Sequence, residues 1–177
     1  MVFTQHYNSP IGGLLLAADG SGLVGLWLDG GKYFAASLPE SHVERETTIL
    51  CESKRWLDMY FSGREPDFMP PLRPSGSCFR KAVWKLLLEI PYGETVTYGG
   101  LAKKLSLQMG IPHMSAQAVG GAVGHNEISI IIPCHRVVGA NGSLTGYAGG
   151  IERKIKLLEL EKADISRFYI PTKGTAL

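Results

Sequence analysis

Cys134, His135 and Arg136 stand side by side immediately after Pro133. A thiolate is a strong nucleophile, and a neighbouring imidazole or cation lowers a thiol's pKa or accepts its proton. Adjacent residues of an extended strand point to opposite faces, so Cys134 and His135 need a turn between them, or a bridging water, to act together. Pro133 makes that departure from a strand plausible. Cys51 and Cys78 have no such neighbours and read as structural, as small buried hydrophobes do. Three cysteines without a Cys-x-x-Cys pair or a His-rich cluster fit neither a disulfide scaffold nor a structural zinc site. His6 and His42 add no metal spacing, so no metal and no cofactor are expected, and the thiols point to a reducing, cytoplasmic setting.

The elements that must carry this trio follow from periodicity. The run Ile128-Ser129-Ile130-Ile131-Ile132 is apolar on both faces and predicts a buried strand delivering Cys134 at its exit. Upstream, Ser115 can cap a helix, Ala116 to Val123, with Asn126 at its end. Its adjacent Gly120 and Gly121 each cost about 1 kcal/mol against Ala in a helix interior. Two readings stay open for them: tight packing on a neighbouring helix, or a helix that must enter a narrow groove. Thr97 can cap a preceding helix from Tyr98 to about Leu105, and a loop is expected over Ser106 to Met114. Two short helices joined this way resemble a helix-turn-helix. A turn at Gly139 to Gly142 leads to Thr145-Gly146-Tyr147-Ala148-Gly149-Gly150, and a closing helix is predicted from Ile151 to about Lys162. Ser77 can cap a further helix bearing Phe79, Val83, Leu86, Leu87 and Ile90 on one face.

The first half reads differently. Ile11 to Leu28 predicts a hairpin around Asp19-Gly20-Ser21-Gly22, and Ile49 to Phe61 a short amphipathic helix. Four prolines and two glycines between Ser62 and Ser77 mark a linker. The expected organisation is therefore an α+β chain: a sheet-and-helix domain over 1–75, a helical domain over 76–165 and a tail over 166–177.

With 45% apolar and 19% charged residues in 177, the composition is that of a globular protein. No run approaches the roughly 20 apolar residues needed to cross a bilayer, and no leader pattern opens the chain. The net charge of +2 hides an asymmetry. Residues 1–78 carry six basic against nine acidic side chains, and the rest twelve against seven. A basic second half fits a polyanionic partner or an ordinary solvated surface. Asn141-Gly142-Ser143 matches a glycosylation sequon but reads as an Asn-Gly turn. Trp27, Trp56 and Trp84 read as core.

Ile132-Pro133-Cys134-His135-Arg136-Val137, taken with Ala118-Val119-Gly120-Gly121-Ala122, Asn126, Tyr98, Tyr147-Ala148-Gly149-Gly150, Lys154 and Glu161 in this order, resembles the O6-alkylguanine-DNA alkyltransferases. The likeness is strong over about 77–162 and weaker in the first half, through Ser9-Pro10-Ile11-Gly12 and the hairpin. It implies a ribonuclease H-like first domain with an antiparallel sheet and a winged-helix-like second one. It further implies a monomer, single-turnover repair of double-stranded DNA containing O6-alkylguanine, and binding through the minor groove with the target nucleotide flipped out. Residue by residue, Cys134 would take the alkyl group, His135 would act as base through a water, and Glu161 would hold the imidazole. Tyr98 would donate to the guanine ring, Lys154 would support that tyrosine, and Asn126 would be the hinge between recognition helix and active-site strand. Gln117, Ala118, Gly121 and Ala122 would meet DNA. Backbone carbonyls near Cys134 and Val137 would read the guanine amino group, and Tyr147 with the Ala148 amide would line the pocket.

The sequence departs from the family in two places. Most members carry an intercalating arginine where this chain has Gln117, which predicts weaker flipping and DNA affinity without a change of chemistry. The loop Ser106 to Met114 is longer than expected, and His113, Lys103 and Lys104 are phosphate-contact candidates or simply solvated. His125 reads either as a surface residue or as a backbone contact. A lesion sensor that binds without reacting would lack the cysteine, and a Cys-His hydrolase would need turnover and a cleft.

Overall fold

In the computed structural model, which describes residues 1–172, the chain divides into two units: Met1–Ser75 with Glu127–Ser129, and Gly76–Asn126 with Ile130 onward. Of the expected tail over 166–177, residues 173–177 lie outside the described residues.

The first unit is built on β1 (Val2–Ser9), β2 (Gly12–Ala18), β3 (Leu23–Leu28) and β4 (His42–Glu44), in the order β3-β2-β1-β4. Asp19 closes the β2–β3 turn by accepting the Ser21 and Gly22 amides. Leu14 through Ala18 are all buried, as befits an interior strand of the sheet. The sheet is mixed rather than antiparallel, because β4 runs parallel to β1. A parallel neighbour needs a long connection, and the chain between Leu28 and His42 supplies it. Helix α1 (Thr48–Phe61), capped by Thr47, buries Leu50, Trp56, Leu57 and Tyr60.

The expected strand over Ile128 to Ile132 does not form. Ile128 makes a single parallel bridge to Leu26, and Ile130 then takes a positive φ of 71° that ends the extended run. All five residues are buried nonetheless.

In the second unit, α2 (Cys78–Leu87), α3 (Tyr98–Met109) and α4 (Ala116–Gly124) pack on one another, each capped by a hydroxyl: Ser77, Thr97 and Ser115. Helix α3 runs four residues beyond the predicted end, so much of the expected Ser106–Met114 loop is helix. Gly110, with φ 64°, supplies the left-handed stop, and the Ile111 amide closes on the Ser106 carbonyl. The remaining elements are β5 (Val96–Thr97), paired in parallel with β6 (Val137–Val138), and α5 (Ile151–Leu160), which shares an apolar cluster with Val138 and Leu144. Among the described residues no helix is long and apolar enough to cross a membrane.

Candidate active site

Cys134 opens a single 3-10 turn, Cys134–Arg136, whose hydrogen bond from the Val137 amide to the Cys134 carbonyl leads directly into β6. This turn is what lets consecutive residues serve one site. Cys134 is 6% exposed, and its sulfur accepts a hydrogen bond from Asn126 Nδ2 at 3.1 Å. The same amide nitrogen donates to the Ile132 carbonyl at 2.8 Å. Asn126 therefore ties the end of α4 to the reactive turn and also touches the reacting atom.

His135 is fully buried, and its Nε2 lies 2.6 Å from Glu161 Oε1. Because a carboxylate only accepts, this pairing places the imidazole proton on Nε2 and leaves Nδ1 as the basic nitrogen. Glu161 caps the end of α5 and also receives Arg136 Nε at 2.8 Å and Nη2 at 3.1 Å. Lys154, about two turns earlier in α5, is fully buried; its ammonium donates to the Val137 carbonyl at 2.5 Å and the Thr145 carbonyl at 2.8 Å. Tyr98, at the start of α3, donates its hydroxyl to that same Thr145 carbonyl at 3.2 Å. Lys154 and Tyr98 are thus joined through one carbonyl, and the loop from Thr145 is held from both sides. Tyr147 meets the His135 ring edge-on, centroids 6.5 Å apart, and its buried hydroxyl finds no hydrogen-bond partner among the described residues.

The electrostatics follow from this burial. Loss of water pushes the Cys134 thiol up, against the Asn126 hydrogen bond, the Lys154 charge and the backbone amides of Cys134 and His135. The resting group is accordingly a thiol that needs a base. Burial holds His135 below its ordinary value, against the pull of Glu161, so a neutral imidazole is available to serve. Burial would raise Glu161, but the hydrogen bonds and charges of His135 and Arg136 bring it down to about 2. Burial brings Lys154 down to about 8. Tyr98 is pushed up to about 12 by burial and by Cys134, which keeps its phenol a hydrogen donor.

The helix residues fall into two groups. Gln117, Ala118 and Gly121 are exposed on one face of α4. Ala122, expected to meet DNA, is instead buried, and its carbonyl accepts the Trp84 indole N–H at 2.8 Å. A Cβ added at Gly120 would stand 3.6 Å from the Tyr98 ring, an ordinary contact, and one at Gly121 would meet nothing within 4 Å. Packing inside this unit therefore does not require glycine at 121. Lys104 is engaged by Glu89 at 2.6 Å, whereas Lys103 and His113 are exposed. His125 Nδ1 lies 2.7 Å from the Gly121 carbonyl of its own helix. Among the described residues, no three His, Cys, Asp or Glu side chains gather as metal ligands.

Sequence reasoning missed the part played by Arg136 and by the turn that meets it. Arg136 Nη1 donates to the Ile90 carbonyl at 2.6 Å, its guanidinium carbon stands 5.6 Å from the Tyr92 ring centroid, and the Gly93 amide donates to Glu161 Oε2 at 3.1 Å. The signal was available: an arginine enclosed in Ile128-to-Val138 apolar sequence cannot reach water and must find an anion.

Comparison with known proteins gives a consistent picture. Residues 78–163 match the family described as 6-O-methylguanine DNA methyltransferase, DNA binding domain, and residues 2–74 match its ribonuclease-like domain. A Methanosarcina acetivorans protein named methylated-DNA--protein-cysteine methyltransferase is 48% identical over 155 residues, covering 88% of this chain and 95% of its own. A Haemophilus influenzae protein of the same name is 40% identical, covering 91% and 87%. Among solved structures, the Mycobacterium tuberculosis O6-methylguanine methyltransferase superposes with a TM-score of 0.77 at 43% identity, covering 98% and 97%. A structure described as Mycobacterium tuberculosis OGT in complex with DNA has a TM-score of 0.76 at 43% identity and covers 94% of each chain.

Proposed function

The chain belongs to the 6-O-methylguanine DNA methyltransferase family, and from that premise we propose that Cys134 repairs O6-alkylguanine in double-stranded DNA by taking the alkyl group onto its own sulfur. The observation that carries the assignment to these residues is the buried series Asn126–Cys134 and His135–Glu161, with hydrogen bonds of 3.1 and 2.6 Å.

The steps balance within these groups. The Cys134 proton passes to His135 Nδ1 with a water as intermediary, and Glu161 stabilises the imidazolium that forms. The thiolate, supported by the Asn126 amide and the Lys154 charge, attacks the alkyl carbon in line. The sulfur–carbon bond forms as the carbon–O6 bond breaks, and the electron pair moves onto the guanine ring. The Tyr98 hydroxyl, which meets the Thr145 carbonyl in the free protein, turns to the ring and offsets that charge, and a proton taken up by the ring restores guanine. The product is a thioether whose alkyl carbon water could free only by expelling the Cys134 thiolate, a poor leaving group there, so each protein acts once. No metal or cofactor takes part, and one monomer serves one lesion; the free thiol suits the cytoplasm.

On the DNA side, the exposed face of α4 bearing Gln117, Ala118 and Gly121 enters the minor groove, whose width of about 6 Å favours a helix stripped of side chains there. The nucleotide is flipped into a pocket bounded by Tyr147, the Ala148 amide and the Val137 backbone. The test is the intact mass of the protein after incubation with an O6-methylguanine duplex. One added methyl, mapped to Cys134 and absent in Cys134→Ala, is expected. An unmodified protein that binds the duplex would instead make this a lesion sensor, and one that neither binds nor reacts would reopen the hydrolase reading.

A further inference from the structure

The proposed relay uses one of the hydrogen bonds that the Glu161 carboxylate accepts. Further ones come from Arg136 Nε and Nη2 and from the Gly93 amide, so each carboxylate oxygen has at least two donors. Arg136 is itself 9% exposed, and its third nitrogen is fixed on the Ile90 carbonyl at 2.6 Å. The guanidinium is thus immobilised at every nitrogen, with Tyr92 beside it. Gly93 closes the far side: its φ is +76°, and a Cβ there would stand 2.8 Å from the Glu161 carbonyl oxygen. A planar fork on a carboxylate fixes orientation as well as charge, which a lysine would not do.

We infer that Arg136 is a positioning residue of the transfer reaction: its fork fixes the Glu161 carboxylate against His135, and its fixed charge keeps that imidazole in its neutral, proton-accepting form. A buried carboxylate with histidine as sole partner draws a proton onto the ring, and an imidazolium cannot accept one from a thiol. Arg136 gives Glu161 a permanent cation, so a second one is not needed. The groups that face His135 divide accordingly. Glu161 favours the charged ring; Arg136 and Lys154 oppose it, as does burial; Cys134 and Tyr147 are both held in their neutral forms. Lys154 is committed to the Val137 and Thr145 carbonyls, which leaves Arg136 as the cation in direct contact with the carboxylate.

The inference rests on the function proposed above, but its test reads the free protein. The His135 imidazole is followed by nitrogen-15 NMR across pH in the wild type, R136M and R136K. In the wild type at pH 7 the ring is neutral with its proton on Nε2; an imidazolium there overturns the inference without any variant. In R136M the midpoint moves to higher pH by about one unit, and the acid limb of the methyl-transfer rate follows, a loss of about tenfold on that limb. R136K, which keeps the charge and loses the fork, holds its midpoint near the wild type while melting at lower temperature. A purely structural arginine predicts the opposite pattern: lower melting temperatures with an unmoved midpoint in R136M, and that result overturns the inference. Absence of methyl on Cys134 in the wild type would reject the proposed function alone, because the NMR midpoint does not depend on it.

Discussion

The two units of this molecule fill their interiors with different material. Among the described residues, the first unit buries Leu14, Leu16, Leu23, Leu26, Leu50, Leu57 and Tyr60, and its buried polar side chains are the small hydroxyls of Thr4, Ser53 and Ser129. Ser53 is satisfied within its own helix by the Ile49 carbonyl. The second unit buries Asn126, His135, Arg136, Lys154 and Glu161 within one hydrogen-bonded region. Burying an ion costs several kcal/mol even after relaxation, so a chain does not place three of them, Arg136, Lys154 and Glu161, together for stability alone. Where the interior is apolar, packing is the function; where it is ionic, the interior holds the chemistry. The comparison also corrects the reading of charge. Two basic residues and one acidic residue of the second half are inside, so its excess of positive charge is smaller at the surface than the composition implies.

The strongest way to break this contrast is Glu161→Gln. The amide cannot stabilise an imidazolium as a carboxylate does, so the single-turnover transfer rate should fall by roughly two orders of magnitude or more. Loss of the anion leaves Arg136 buried beside a neutral group, so the melting temperature should fall as well. The pH dependence has a definite sign. Glu161 is lowered to about 2 in the folded protein, so the stability it contributes is complete above the ordinary carboxylate value and is lost as pH falls from about 4.5 towards 2. His135 is lowered too: below its ordinary value the unfolded chain binds the extra proton, which removes stability as pH falls below about 6.5. In Glu161→Gln the lower of these two windows should flatten in acid denaturation monitored by circular dichroism. A variant that transfers methyl at the wild-type rate would reduce the buried ions to structure.

Leu57→Ala is the matching change in the first unit. Leu57 is fully buried on α1, and its truncation should cost about 2–5 kcal/mol in denaturant unfolding. The transfer rate per folded molecule should be unchanged. A fall in that rate at temperatures where the variant remains folded would show that an apolar interior is not separable from the chemistry.

Much of this organisation is visible in the sequence because it is local. Ser77, Thr97 and Ser115 announce their helices, and Cys134 announces itself through His135. The run from Ile128 to Ile132 announces burial but misstates conformation: β-branched residues favour strands and rarely take a positive φ, so nothing local reveals that Ile130 does. Helix α3 outruns its apolar pattern because Leu107 and Met109 are exposed; its true end is written in Gly110 instead. The partners of Glu161 lie 25, 26 and 68 residues away, and no periodicity encodes a meeting over such separations. Family resemblance supplied Glu161, and the apolar surroundings of Arg136 signalled that it needs an anion, whereas the identity of that anion and the part of Gly93 became legible only in three dimensions.

The smallest predicted effect sharpens the contrast inside the second unit itself, between its ionic interior and its exposed helix face. Gln117 is the second residue of α4 and stands on the same open face as Ala118 and Gly121, apart from the buried groups around Cys134. Gln117→Arg adds a cation and a planar stacking surface where a flipped base would leave a gap. One added phosphate or base contact of about 0.5–1 kcal/mol corresponds to a two- to fivefold gain in duplex affinity, and the salt dependence should steepen by about one ion. The rate of methyl transfer at saturating DNA should be unchanged if chemistry limits it, and should rise if flipping does. Titrating a labelled O6-methylguanine duplex at two salt concentrations, then measuring single-turnover transfer at saturation, separates these outcomes. Unchanged affinity together with an unchanged salt slope would mean that position 117 does not meet DNA, and that the face of α4 left open by Gly121 is not the one that enters the groove.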